Sequence, residues 1–190
     1  MPQRSAAFTP LHCANGRGGS LPMRRSGPIG RPYLTSMPNY EPLVDQIAEQ
    51  TGVYFRASSP FELAKLEAFG LPESVLDFYR EFEPSECAEG QIRLWPIEHI
   101  LEENEALVPG CYSVRHGYVV FATTLSGDTY CFDVTRQGPF EPRIVLLSHE
   151  VVTKHTTAAQ FARLAKPVAR NLYEFLQKFV RREIDEDCIT

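Results

Sequence analysis

"GYVVFATTLSGDTYCFDV", residues 117–134, decides how the rest of the chain is read. Its first part is an almost continuous apolar run, fit for a central strand. Its last part alternates, with Tyr130, Phe132 and Val134 toward one face and Thr129, Cys131 and Asp133 toward the other. Between them lies Ser126-Gly127-Asp128. Glycine readily takes a positive φ, and aspartate can hydrogen-bond its own backbone, so this is hairpin-turn chemistry. A catalytic loop would need Ser126 as nucleophile beside a base, yet the chain has neither a GxSxG elbow nor a phosphate-binding loop. The stretch is a β-hairpin, with Gly127 as its structural turn.

On the N-terminal side the pattern is helical. In "EPLVDQIAEQTG" (41–52), Leu43, Ile47 and Ala48 fall near helical spacing and Gly52 stands as a stop. "SSPFELAKLEAFG" (58–70) has Ser58 or Ser59 as N-cap, Pro60 in its first turn and Gly70 past its end. "LPESVLDFYREF" (71–82) opens on Pro72 and sets Val75, Leu76, Tyr79 and Phe82 on one face. "QIRLW" (91–95) reads as a short strand ending at Trp95, the only tryptophan, expected to plug the core. "PIEHILEENEAL" (96–107) is a further helix, with Ile97, Ile100, Leu101 and Leu107 expected inward.

On the C-terminal side "RIVLLSH" (143–149) is another strand, reached through "RQGPFEP". "TAAQFARLAK" (157–166) is a helix broken by Pro167. "VARNLYEFLQKFVRRE" (168–183) is expected to continue as helix, with Val168, Leu172, Phe175, Leu176, Phe179 and Val180 on one stripe. Helices, clustered short strands, then helices define an α+β fold around a mostly antiparallel central sheet.

The 190 residues favour one domain with room for a core. Residues 37–185 are expected to hold it. Residues 1–36 are rich in Pro, Gly, Ser and Arg without hydrophobic periodicity, so they are expected to be a disordered leader outside the fold. They resemble an organellar transit peptide in composition, but Met37 as the true first residue is the preferred reading. Arg4, Arg17, Arg24, Arg25 and Arg31 meet no acid there, and removing those five charges from a net of −5 leaves −10 for residues 37–190. So acidic a body repels phosphates, which argues against nucleic acid and favours a cationic protein partner. No apolar run approaches a membrane span. Cys13, Cys87, Cys111, Cys131 and Cys188 are scattered without a CxxC pair, which suggests free thiols, a cytoplasmic setting and no zinc.

Several of these segments together carry a resemblance. "FGLPESVLDFYREFEP", "IRLWPIEHILEENEAL", the hairpin itself, "VLLSHE" and "NLYEFLQKF" are similar, in that order, to the motifs of the SUKH superfamily. That group includes the fungal Smi/Knr cell-wall regulators and many bacterial immunity proteins, and the resemblance covers about residues 40–182. It implies an α+β protein without catalytic activity or cofactor. In bacterial members it implies stoichiometric neutralisation of a toxin, often a nuclease. A basic toxin domain would suit the acidic body. A regulatory scaffold of the Smi/Knr type is the alternative.

Other chemistry is weighed on the residues. His99 and Glu103, four apart on a helix, could form one edge of a metal site but lack a third ligand. Cys131 and His149 could serve a small hydrolase as nucleophile and base, against the tendency of cysteine to behave as a buried small hydrophobe. The expected partner-binding residues are Glu98, Glu102, Glu103 and Glu105 on the acidic helix, with Asp128 from the hairpin.

Overall fold

The computed structural model describes residues 38–136 and 141–184. The leader, Cys13, Cys188 and part of the link before the third long strand lie outside the described residues.

Helix α1 (Glu41–Thr51) buries Leu43, Val44 and Ile47 and ends at Gly52, whose φ of 71° closes the helix in the left-handed conformation. Strand β1 (Phe55–Arg56) follows, then α2 (Pro60–Glu67), where Ser59 and Glu62 form a reciprocal capping box with Pro60 in the first turn. Helix α3 (Glu73–Phe82) sets Val75, Leu76, Phe78 and Tyr79 inward and leaves Glu73 exposed. Strand β2 (Glu83–Pro84) pairs with β1 in a two-stranded ribbon.

The main sheet has six strands in sequential order, every pair antiparallel. They are β3 (Cys87–Glu89), β4 (Ile92–Leu94), β5 (Tyr118–Thr124), β6 (Thr129–Asp133), β7 (Arg143–Leu147) and β8 (Lys166–Ala169). Between β4 and β5 run α4 (Ile97–Glu105), the short α5 (Gly110–Ser113) and a 3-10 turn (Val114–His116). Helix α6 (Ala158–Leu164) precedes β8, and α7 (Leu172–Arg181) closes the described chain.

The hairpin forms as expected. Asp128 returns its carbonyl to the Thr124 N–H at 2.7 Å, and Gly127 sits at φ 96°. All five residues of β6 are buried, because both faces of the sheet are covered. Val119, Phe121, Tyr130 and Phe132 meet the large cluster under α1, α3, α4 and α7, where Phe121 stacks on Phe132 at 4.3 Å. Tyr118, Val120, Cys131, Val145 and Leu147 meet a smaller cluster under α6, centred on Phe161.

Two expectations are corrected. Residues 166–169 form an edge strand rather than the start of the last helix, so Val168 belongs to β8. Pro167 suits that edge, where its missing N–H costs no ladder bond, and Asn171 then caps α7 by accepting from the Glu174 N–H. Leu107 lies beyond the end of α4 and is 43% exposed, since the helix stops at Glu105.

Candidate partner-binding surface

Helix α4 begins where β4 runs out. Pro96 occupies its N-cap, and the first helical N–H, from Ile97, donates to Glu83 Oε1 at 3.0 Å. Glu83 is fully buried, and its other oxygen accepts from Arg56 Nε at 3.2 Å and Ser58 Oγ at 3.1 Å. One carboxylate thus ties the β1–β2 ribbon to the positive end of the helix.

The inward stripe of α4 is Ile97, Ile100 and Asn104. Asn104 is buried beside the bulge in β5. Its Oδ1 accepts from the Val120 N–H at 2.9 Å, while its Nδ2 donates to the carbonyls of Val120 at 2.8 Å and Ile100 at 2.7 Å. Because β4 pairs with β5 only at residues 122–124, the Asn104 amide supplies at Val120 the donor and acceptor a strand would otherwise provide. Gly110 locks the other end of α4, since a Cβ there would overlap the Glu103 carbonyl oxygen.

With that side fixed, Glu98, Glu102 and Glu105 project from the exposed side as one stripe, spaced four and three residues apart. Glu103 departs from the expected exposed set. It stands half-buried on the flank, where burial first and then neighbouring Glu102 raise its carboxyl above the usual range, partly offset by His99. Glu102, Glu103 and Glu105 crowd the negative end of the helix dipole, and no basic residue occupies the last turn. The acidic stripe therefore opposes the stability of the helix that carries it. Helix α2 packs beside α4 and adds exposed Glu67 and an exposed Phe61, over whose ring Lys65 sits at 4.6 Å.

Asp128 does not belong to this surface, which corrects its expected role in partner binding. It is buried, and its Oδ1 accepts from the His149 backbone N–H at 3.0 Å and lies 2.9 Å from His149 Nδ1. The pair pins the hairpin turn to the segment after β7, with the His149 ring 3.5 Å from where a Gly127 Cβ would be. Asp128 is a structural clasp.

The rival constellations do not assemble. Cys131 is fully buried under α6 and contacts Thr129, and burial pushes its thiol up to about 12. No hydrogen bond joins it to His149, which is engaged by Asp128. The His99 ring lies 5.0 Å from buried Trp95, and among the described residues no group of three or more His, Cys, Asp or Glu side chains is placed to hold a metal. A depression of about 540 Å³ between α1 and α3 is lined by Tyr40, Glu41, Asp77, Phe78, Glu81 and neighbours, and neither Cys131 nor His149 reaches it. Asp77 there is already paired with Arg80. No described helix is long and apolar enough to cross a membrane.

Asn104 and Glu83 were not anticipated. Asn104 does leave a trace, as a polar residue at helical spacing within the apolar stripe of Ile97 and Ile100. Glu83, among the acids of "EFEPSE", leaves none.

An antiparallel sheet with an LP-initiated helix before it and a short acidic helix after its second strand defines a SUKH-type α+β domain. The family model described as SMI1 / KNR4 family (SUKH-1) matches residues 61–178, and the chain belongs to that family. A comparison with curated proteins finds no match.

Proposed function

We propose that this chain is a non-catalytic protein-binding module of the immunity type, which neutralises a basic toxin domain by stoichiometric occlusion. The observation that carries this reading is the exposed stripe of Glu98, Glu102 and Glu105, held by a helix whose own dipole the last two oppose. A surface kept at the expense of local stability is what a binding function leaves behind. The stripe lies within an acidic region, since residues 38–105 carry fifteen acidic side chains against four basic ones. That field attracts a cationic face and accelerates encounter with it. The fully buried, high-pKa thiol of Cys131 supports the non-catalytic reading, because a thiol nucleophile works as an accessible thiolate.

The test is co-expression with the product of the neighbouring gene. The expected result is a one-to-one complex that survives gel filtration, with relief of that product's toxicity. Absence of any complex, with toxicity undiminished, would overturn the proposal.

A further inference from the structure

We propose that the layer formed by residues 148–170, on the α6 side of the sheet, is a second docking surface, fitted to a short acidic protein segment that carries an aliphatic side chain. This goes beyond the toxin-binding reading and uses the opposite face of the sheet.

Charge is segregated along the fold. Residues 38–105 have fifteen acids and four bases, whereas residues 106–184 have six acids and ten bases. Within 148–170 the single acid Glu150 faces Lys154, Arg163, Lys166 and Arg170. Arg170 is paired with Glu174 at 2.7 Å, but Lys154, Arg163 and Lys166 are exposed and make no ion pair among the described residues. Exposed Arg115 adds to them, because a tilted contact between the His116 and Phe161 rings, 4.9 Å between centroids, sets the 3-10 turn against α6.

The layer also has relief. A depression of about 310 Å³ is lined by Val151, Thr156, Gln160, Arg163 and Leu164. Two of its polar groups are already engaged. Thr156 Oγ1 accepts from the Thr153 N–H at 2.9 Å, and Gln160 Oε1 accepts from the Thr157 N–H at 2.8 Å. What remains for a ligand is the Arg163 guanidinium and the Gln160 side-chain N–H groups, in a depression whose aliphatic walls are Val151, 48% exposed, and half-buried Leu164. Guanidinium recognises a carboxylate, and the walls take an aliphatic side chain beside it.

A protein segment fits better than a nucleic acid. The only Phe, Tyr or Trp ring of this layer, Phe161, is fully buried, and of its two imidazoles His149 is held by Asp128, so His155 alone is left as a platform for bases. Residues 38–184 together carry twenty-one acids and fourteen bases, so a long polyanion would be repelled beyond the patch, whereas a short acidic segment would not.

The experiment is fluorescence anisotropy of the full chain with a labelled Asp-Asp-Glu-Leu-Glu-Asp-Asp peptide, the same peptide with serine at its centre, and single-stranded oligothymidylate. The leucine peptide should bind saturably and the serine peptide more weakly. Arg163→Glu with Lys166→Glu should weaken the leucine peptide about tenfold or more while the melting curve stays in place. Val151→Asp, a second surface change, should do the same. Glu102→Lys with Glu105→Lys on α4 should leave this binding intact, which separates the result from the fate of the toxin reading. No saturable binding, equal affinity in the Arg163/Lys166 reversal, or tighter binding of oligothymidylate than of the peptide would each overturn the proposal.

Discussion

At the level of single side chains, the Asn104 amide takes the place of a strand at Val120 and so decides where α4 can sit. Asn104→Ala would leave the buried N–H and carbonyl of Val120 without these partners, and urea unfolding should show a loss of about 2–4 kcal/mol. Gly127 is a backbone requirement of a different sort. At φ 96°, Gly127→Val should cost about 1–3 kcal/mol through strain. Ser126→Ala, which gives up an exposed 2.8 Å contact with Thr124, should stay within about 1 kcal/mol. Cys131 carries a chemical expectation. With its thiol pushed up to about 12 inside the α6 cluster, peptide mapping after iodoacetamide treatment of the native protein at neutral pH should find it unmodified. Rapid modification of Cys131 with the fold intact would reopen the nucleophile reading.

At the level of the element, α4 is a helix whose termini are treated oppositely. Its positive end is neutralised by buried Glu83, and its negative end is loaded with Glu102, Glu103 and Glu105. Glu103 gives this a pH signature. Its carboxyl is raised in the folded state, so folding favours the protonated form, and the penalty grows as pH rises from the ordinary carboxylate range through the raised folded value. Glu103→Gln should therefore raise the melting temperature at neutral pH, and the gain should disappear at pH values below the ordinary carboxylate range. A gain independent of pH would contradict this account. The helices and long strands were legible because periodicities of two and about 3.6 survive in the apolar residues, as in Tyr130 and Phe132 or Leu172, Phe175 and Phe179. Strand β8 was not, because four residues of mixed polarity around Pro167 show no period. The acidic stripe was legible from spacing, except that Glu103 is half-buried on its flank and Asp128, from the hairpin, is buried. Their burial depends on neighbours distant in sequence, and no local pattern encodes it.

At the level of the whole molecule, one antiparallel sheet separates two unlike faces. The larger cluster carries the acidic helices α1, α3 and α4 on its outside, together with the more basic α7, and the smaller carries a cationic layer. The account's central claim is that the acidic side captures a basic partner through α4. The most direct measurement is stopped-flow association with the neighbouring gene's product at low and high salt, for wild type and Glu102→Lys with Glu105→Lys. Trp95, the only tryptophan and packed against His99 of α4, provides the intrinsic signal. The reversal should slow association about tenfold or more at low salt and flatten its salt dependence. It should also raise the melting temperature slightly, since cations now meet the negative end of the helix. Association rates and salt dependence unchanged from wild type would remove α4 from the interface and contradict the claim.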